Sequence, residues 1–255
     1  MTTGIRSPGE FCWLNMLTPQ PDQARAFFAK VLGWTYSEIP GMGYGVKVAG
    51  HDIGGLFDLE GPNTPKGTKA HIGVMVKVEN ADATCAKVVA LGGTAMPAFD
   101  IGGRLRMAVC HDPNGAGFDL WESKAALGTV VDSSLHGAPS WFETPTSDTG
   151  RAAKFYSELF GWTTEVLPLG DSTYTDFKRG TEPVAGMMEI TKDMGGMRPH
   201  WRVNFTVNDA DEAAREALAL GGTISVKLHD IPEVGRFCGI TSPQGVAFLV
   251  LQYRS

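Results

Sequence analysis

The sequence predicts an α+β fold, in which four βαβββ modules form two tandem domains with curved, mixed or antiparallel sheets. Two observations lead to this prediction. The segment 27–34, which reads FFAKVLGW, returns 128 residues later as FYSELFGW in segment 155–162. Short apolar runs also alternate with amphipathic stretches in the order strand, helix and three strands, four times along the chain. An internal repeat with a nearly constant offset indicates two copies of one domain.

The repeat covers almost the whole chain, and its offset grows only from 128 to 130 residues. Further matching pairs are Trp13 with Trp141, 91–94 with 220–223, Asp100 with Asp230, Arg106 with Arg236, and Phe118 with Phe248. Small loop insertions between two copies would produce such a drift. We therefore predict a first domain over residues 1–125, a second over residues 138–255, and an exposed linker over residues 126–137.

The first module of each copy begins with an apolar strand and an amphipathic helix. In the first copy, apolar residues at i, i+3, i+4, i+7 and i+8 predict a helix over 21–32, which Gly33 is suited to end. The second copy repeats the pattern up to Gly161. The strands predicted for this module in the first copy are 11–17, 34–39, 44–48 and 54–59.

The second module repeats the same order of elements. A strand at 71–78 precedes a helix that starts at Asn80, a favourable N-cap, and stops before Gly92. The equivalent helix of the second copy is predicted over 209–220. The remaining predicted strands are 95–99, 104–110 and 117–122 in the first copy, and 200–207, 224–228, 235–240 and 247–252 in the second.

Composition excludes several classes of protein. The chain has 255 residues, 43% of them hydrophobic, and a formal net charge of −6, which is typical of a globular protein and unlike a disordered one. Without runs of Lys or Arg, and without a long apolar stretch, it is expected to bind neither nucleic acid nor membranes. The scattered cysteines and the polar N-terminus predict reduced thiols and a cytoplasmic location.

Taken together, these motifs resemble the vicinal oxygen chelate superfamily, which includes glyoxalase I, bleomycin-resistance proteins and extradiol dioxygenases. The resemblance rests on the Trp-bearing first strand, F-[FY]-x-x-[LV]-[LF]-G-W, L-G-G-T, D-I followed by G-R, and [DS]-P-[NQ]-G before the last strand. The chain is most similar to tandem glyoxalase-like proteins of actinobacteria. In glyoxalase-like members, paired modules form a cup that holds one divalent metal on side chains of the first and last strands of each module.

The resemblance implies a metal site that this sequence fills only in part. The implied ligand positions lie near Trp13, 54–56, His71 and Asp119 in the first domain, and near Trp141, 185–187, His200 and Leu249 in the second. His71 and Asp119 have metal-binding side chains in the first domain, and only His200 has one in the second. We therefore expect either no cofactor or a divalent metal held by His71 and Asp119.

Aromatic and polar residues near these positions are candidates for binding an organic molecule. Trp13 and Trp141 predict an apolar floor on which a flat ligand stacks. Asn15 and Glu143 lie two residues further along and should face the same side of their strands.

Four residues are candidates for catalysis. Asp119 and Glu143 are candidate general bases if burial makes them easier to protonate. His71 and His200 are candidate proton donors or acceptors.

Two equivalent arginines have two interpretations. Arg106 and Arg236 follow glycine-containing turns, where they either bind an anionic ligand or form ion pairs with Asp100 and Asp230.

Three functions follow from these observations. The leading hypothesis is a protein that holds a small apolar, aromatic or carbonyl metabolite in a cup whose usual metal site is largely eroded, either as a binding protein or as an enzyme, in the latter case a lyase or an oxidoreductase. The alternatives are a metal-dependent glyoxalase or dioxygenase working in the first cup, and a non-catalytic regulatory or interaction protein. Four modules in one chain are enough to complete both cups, and the expected state is a monomer or a homodimer.

Overall fold

The computed structural model describes residues 3–61, 64, 66–169 and 172–254. Within these ranges the chain forms four α-helices and 17 strands. The strands make two curved sheets, one of nine and one of eight strands. The predicted α+β fold with two tandem copies of paired βαβββ modules is confirmed. None of the helices in these ranges has the length and apolar character that crossing a membrane requires.

The two domains contain equivalent elements in the same order. The first comprises β1 (Phe11–Thr18), α1 (Pro21–Leu32), β2 (Thr35–Ile39), β3 (Gly43–Val48), β4 (His51–Asp58), β5 (His71–Val78), α2 (Ala81–Ala90), β6 (Thr94–Ala95), β7 (Phe99–Ile101), β8 (Leu105–His111) and β9 (Gly117–Ser123). The second comprises β10 (Pro139–Thr146), α3 (Thr149–Phe160), β11 (Thr163–Leu169), β12 (Ser172–Arg179), β13 (Glu182–Glu189), β14 (Arg202–Thr206), α4 (Ala210–Ala219), β15 (Thr223–Ile231), β16 (Gly235–Thr241) and β17 (Ala247–Tyr253), with a short 3₁₀ turn at Lys192–Met194.

The first strands of the two modules lie side by side in each sheet. The strand orders are β2-β3-β4-β1-β5-β9-β8-β6, with β7 also paired to β8, and β11-β12-β13-β10-β14-β17-β16-β15. The central pairs β1–β5 and β10–β14 are antiparallel, and each is flanked by parallel pairs with β4 and β9 or with β13 and β17. Side chains from both modules therefore meet at the centre of each sheet.

The helices cover one face of each sheet and join the two domains. The predicted apolar stripe of α1 is buried, and Gly33 ends the helix at φ 64°. Asn80 caps α2 by accepting a hydrogen bond from the Ala83 amide at 2.8 Å. Helix α1 packs on α4, and the Phe28 ring lies 5.0 Å from that of Phe248 in the other domain. The opposite faces of the sheets are left to line two cups.

Two local expectations are wrong. The centre of the linker is buried, because Val131 is fully enclosed and its carbonyl accepts a hydrogen bond from Arg6 at 2.7 Å. The linker is thus packed against the domains instead of exposed. The strand predicted at 95–99 is split between β6 and β7, since Pro97 offers no amide hydrogen to a neighbouring strand.

Candidate functional site

The first cup is lined by alternate side chains of its strands. Residues that share the helix-covered face, such as Leu14 and Leu120, belong to the main core. The alternate residues face the cup. These are mainly Trp13 and Asn15 of β1, His71, Gly73 and Met75 of β5, Leu105 and Met107 of β8, and Asp119 and Trp121 of β9.

Asp119 lies at the centre of this cup. Strand pairing places it beside Met75 on β5 and Val109 on β8. Burial raises the pKa of Asp119 to about 7, and a hydrogen bond from the Asn15 amide only partly opposes that shift. The side chain is nevertheless partly accessible. The cup therefore presents a reachable carboxyl group that exchanges a proton near neutral pH.

His71 reaches toward the same centre. Its Nδ1 lies 2.8 Å from the Lys69 carbonyl oxygen, which can only accept a hydrogen bond, so Nδ1 carries the hydrogen and Nε2 has the free lone pair of the neutral ring. Nε2 lies 3.6 Å from the position that a Gly73 Cβ would occupy, and Gly73 pairs with Asn15. His71 and Asp119 thus approach Asn15 from β5 and β9.

Two tryptophans form an apolar wall in the first cup. The rings of Trp13 and Trp121 lie 5.2 Å apart at 37° and pack with Cys12, Met75 and Leu105. Trp121 is 2% exposed, and within the described part of the chain its indole N–H has no hydrogen-bond partner. The wall therefore combines aromatic surface with a donor left unpaired.

The second cup also holds a carboxylate, but one surrounded by donors. Arg202 Nε donates to Glu143 at 2.9 Å, the Tyr174 hydroxyl donates at 3.1 Å, and the Asn204 amide lies at 3.4 Å. The Trp141 indole N–H donates in turn to the Tyr174 oxygen at 2.7 Å. Burial raises the pKa of Tyr174 well above its usual value, so the phenol stays protonated.

A glycine beneath an aromatic ring recurs in both cups. Gly186 pairs with Glu143, and a Cβ there would lie 1.8 Å from the Tyr174 hydroxyl oxygen. Gly55 pairs with Asn15, and a Cβ there would lie 2.4 Å from the Phe57 ring. The ligand position that the family resemblance implies on this strand is therefore covered by a ring in each domain.

The remaining predicted residues of the second cup are apolar or neutral. Leu249 pairs with Asn204 and packs with Phe237 and Leu251. Burial lowers the pKa of His200, which favours the neutral imidazole, and its Nδ1 lies 2.8 Å from the Arg198 carbonyl oxygen. The second cup thus lacks a carboxyl group at the position of Asp119.

The donor set does not fit a catalytic divalent metal. Such a site takes about three protein ligands. In the first cup His71 and Asp119 supply one imidazole and one carboxylate, while Asn15 directs its amide hydrogens at Asp119 and at Met75 Sδ, 3.6 Å away. Among the described residues no group of three or more His, Cys, Asp or Glu side chains has the arrangement of a metal site.

Arg106 and Arg236 turn away from the cups. Arg106 pairs with Asp82 at 2.7 Å and with Asp100 at 3.4 Å, on the face covered by α2. Arg236 pairs with Asp211 and Asp230 in the equivalent place. Both side chains therefore form ion pairs, as the second of the two interpretations expects. The residues next to them along β8 and β16 point to the other side of the sheet, toward the cups.

Sequence reasoning missed several residues that build the two centres. These are Met75 and Trp121 in the first cup and Tyr174, Arg202 and Asn204 in the second. Strand alternation from Asp119 and His200 would have indicated Trp121, Arg202 and Asn204. Tyr174 had no such signal, because no strand boundaries were predicted for its part of the second copy.

Comparisons with known proteins agree on the fold and on the family. The family model of the glyoxalase-like domain matches residues 13–121 and 141–251. "Putative glyoxylase CFP32" of Mycobacterium bovis is 34% identical over 247 residues, covering 94% of this chain and 93% of that protein. The anthracycline biosynthesis protein DnrV of Streptomyces peucetius is 31% identical over 263 residues, covering 97% and 94%.

Solved structures of low sequence identity share the fold. The Mn(II)-bound glyoxalase from Novosphingobium aromaticivorans superposes with a TM-score of 0.65 at 15% identity, covering 99% of this chain and 86% of that one. The 2,3-dioxygenase LapB from Pseudomonas sp. KL28 gives 0.65 at 14% identity, covering 100% and 94%.

Proposed function

Because the chain belongs to the glyoxalase-like domain family, we propose that its first cup binds a small aromatic or carbonyl metabolite and moves a proton on it. The observation that carries the proposal is Asp119, a partly accessible carboxyl group with a pKa of about 7. A general acid or base works best when its pKa lies near the working pH. Glu143, the other carboxyl candidate, is engaged by Arg202 and is assigned no proton transfer.

The proposed step moves one proton from carbon to oxygen. His71 Nε2 takes a proton from the carbon next to a substrate carbonyl, and the electron pair of that C–H bond moves to the carbonyl oxygen. Protonated Asp119 gives its proton to that oxygen, and the product is the enol. In the reverse step protonated His71, after exchange of its proton with solvent, returns a hydrogen to the carbon, and Asp119 takes back the proton of the enol oxygen, which restores the ketone and both side chains.

Two features support an aromatic substrate class. The cup wall presents the partly exposed Trp13 ring, which the buried Trp121 ring supports from behind, and flat ligands gain from stacking on such a surface. Relatives and fold neighbours carry names that refer to anthracycline biosynthesis and to a catechol dioxygenase.

Hydrogen exchange into a simple aromatic ketone tests the proposal. Incubated in D₂O with 2-hydroxyacetophenone, the protein is expected to accelerate exchange of the CH₂ hydrogens, which proton NMR follows. Asp119→Asn keeps the size and shape of the side chain but removes the carboxyl proton, and should slow hydrogen exchange by about 10²-fold or more. Asp100→Asn, which alters an exposed carboxylate on β7, is the matched control. Equal rates for Asp119→Asn and the unaltered protein would refute the proposal.

A divalent metal in the first cup is the alternative function. The Mn(II)-bound glyoxalase among the fold neighbours favours it, and the incomplete donor set opposes it. Elemental analysis after incubation with Zn²⁺, Ni²⁺, Fe²⁺ or Mn²⁺ separates the two. One metal per chain that is lost in His71→Ala would replace the proton-transfer proposal by the metal-dependent one.

A further inference from the structure

A cavity of about 590 Å³ lies where the two domains meet. Both copies contribute equivalent residues to its lining. Trp13 of the first copy corresponds to Trp141 of the second, and Ile53 corresponds to Val184. The N-terminal segment, the linker and the last strand complete it. Of the described residues assigned to the first cup, Trp13 also borders this cavity, whereas Asn15, His71 and Asp119 are not part of its lining.

We propose that this interdomain cavity is a second binding site, for a planar aromatic molecule without negative charge. Its volume lies within the range of about 300–1,000 Å³ that is usual for small-molecule sites. The lining is rich in aromatic rings, and Phe11 and Phe142 from the two domains stack in it at 4.1 Å and 6°. This stacked pair holds the two sides together, and the partly exposed rings of Trp13 and Trp141 in the same lining offer apolar surface to a flat ligand.

The charges around the cavity set the preference against anions. Glu10 and Glu182 line it, and Arg6 is the cation among the described lining residues. The Arg6 side chain is committed to the protein, because it donates to the carbonyls of Gly4 and Val131, both at 2.7 Å, and the residue is 5% exposed. Among the described lining residues, a carboxylate or phosphate ligand would therefore meet two carboxylates and no uncommitted cation.

Two hydroxyl groups provide polar contacts for substituents on the ring. Ser140 donates to the Asn204 carbonyl at 3.2 Å, and its side chain hydrogen-bonds Tyr253. Both residues line the cavity beside Trp141. A phenol substituent placed here finds an acceptor oxygen to pair with, and this contact orients the ring within a lining that is polar as well as aromatic.

The site shares the Trp13 ring with the first cup but uses neither of the residues that transfer protons there, His71 and Asp119. A molecule held here touches both domains, the linker and the N-terminal segment, so binding should also stabilise their arrangement. Its failure and the failure of the catalytic proposal are therefore separate outcomes.

Fluorescence titration with Nile red, an uncharged planar dye, tests the site. We expect one dye per chain, a rise in the melting temperature, and an affinity at least tenfold lower in Val184→Trp, which fills the cavity. Pro183→Trp, on the exposed rim, serves the same purpose if the first variant does not fold. Asp119→Asn should bind the dye as the unaltered protein does.

Any of three results would overturn the proposal: binding that does not saturate at one dye per chain, normal dye binding by both cavity-filling variants, or loss of dye binding in Asp119→Asn. The anionic dye 1-anilinonaphthalene-8-sulfonate should bind at least tenfold more weakly than Nile red, and equal affinity would refute the charge preference.

Discussion

The two cups each hold one carboxyl group next to one amide, but on different strands. In the first cup the amide is Asn15 on the first strand and the carboxyl is Asp119 on the last. In the second the carboxyl is Glu143 on the first strand, and its amide partner is Asn204 on the neighbouring strand. The two copies thus share the same arrangement of strands, but their polar groups lie on different strands.

The difference that matters chemically is a cation. Arg202 lies opposite Glu143, where the first cup has Gly73 opposite Asn15. An adjacent guanidinium stabilises a carboxylate, whereas burial without one favours the protonated acid. The second cup therefore holds a fixed ion pair, and the first is the cup to which the proposed proton transfer is assigned.

Removal of the cation from the second cup should have the largest effect on stability. The Glu143 side chain is 8% exposed and that of Arg202 is 17% exposed, so Arg202→Met leaves a carboxylate buried without its partner. We expect the free energy of unfolding in urea to fall by about 3–5 kcal/mol. The double variant Glu143→Gln with Arg202→Met should recover most of that loss. A loss below about 1 kcal/mol, as for an exposed pair, would mean that the carboxylate is solvated.

The first cup should instead show a dependence on pH. The pKa of Asp119 is about 7 in the folded protein and about 3.9 in an unfolded chain, so between these values the folded state binds more protons. Its contribution is fully present below about pH 4 and is lost as the pH rises through 7, by about 4 kcal/mol in all, of which about 2–3 kcal/mol is lost between pH 5 and pH 8.

Unfolding curves at pH 5 and pH 8 measure this contribution. Asp119→Asn removes the titrating group, so its stability should fall less between the two pH values than that of the unaltered protein. An equal change in the free energy of unfolding of the two proteins between pH 5 and pH 8 would show that Asp119 is charged throughout that range. The difference between the proteins isolates Asp119 from Asp112, whose pKa burial also raises.

Much of the fold could be predicted because its signals are local. The apolar stripe of α1, the caps at Asn80 and Gly33, and the repeat itself each depend on residues close in sequence. The linker was misjudged, since burial of Val131 depends on both domains closing around it. Local polarity carries no information on such a contact.

The site could be predicted only as far as strand alternation reaches. Asn15 and Glu143 were placed correctly on the cup faces by counting two residues from each tryptophan. What each carboxyl group does depends on partners from other strands, such as Arg202, which pairing of β10 with β14 brings in. The interdomain cavity likewise arises from tertiary packing alone.

The smallest difference concerns the glycines beneath the two rings. In the first cup Gly55→Ala displaces the Phe57 ring, and the described contacts give that ring no hydrogen bond to lose. In the second, Gly186→Ala displaces the Tyr174 hydroxyl, which holds Glu143 and accepts from Trp141. We expect a loss in the free energy of unfolding of about 1–2 kcal/mol for Gly186→Ala and less than about 1 kcal/mol for Gly55→Ala.

The variant Tyr174→Phe identifies the source of this difference. If the gap in unfolding free energy between the two alanine variants disappears in the Tyr174→Phe background, the hydroxyl is its source, because the ring then behaves as Phe57 does. A gap that survives in the Tyr174→Phe background would place its origin in ring packing, and the two cups would then differ in shape as well as in charge.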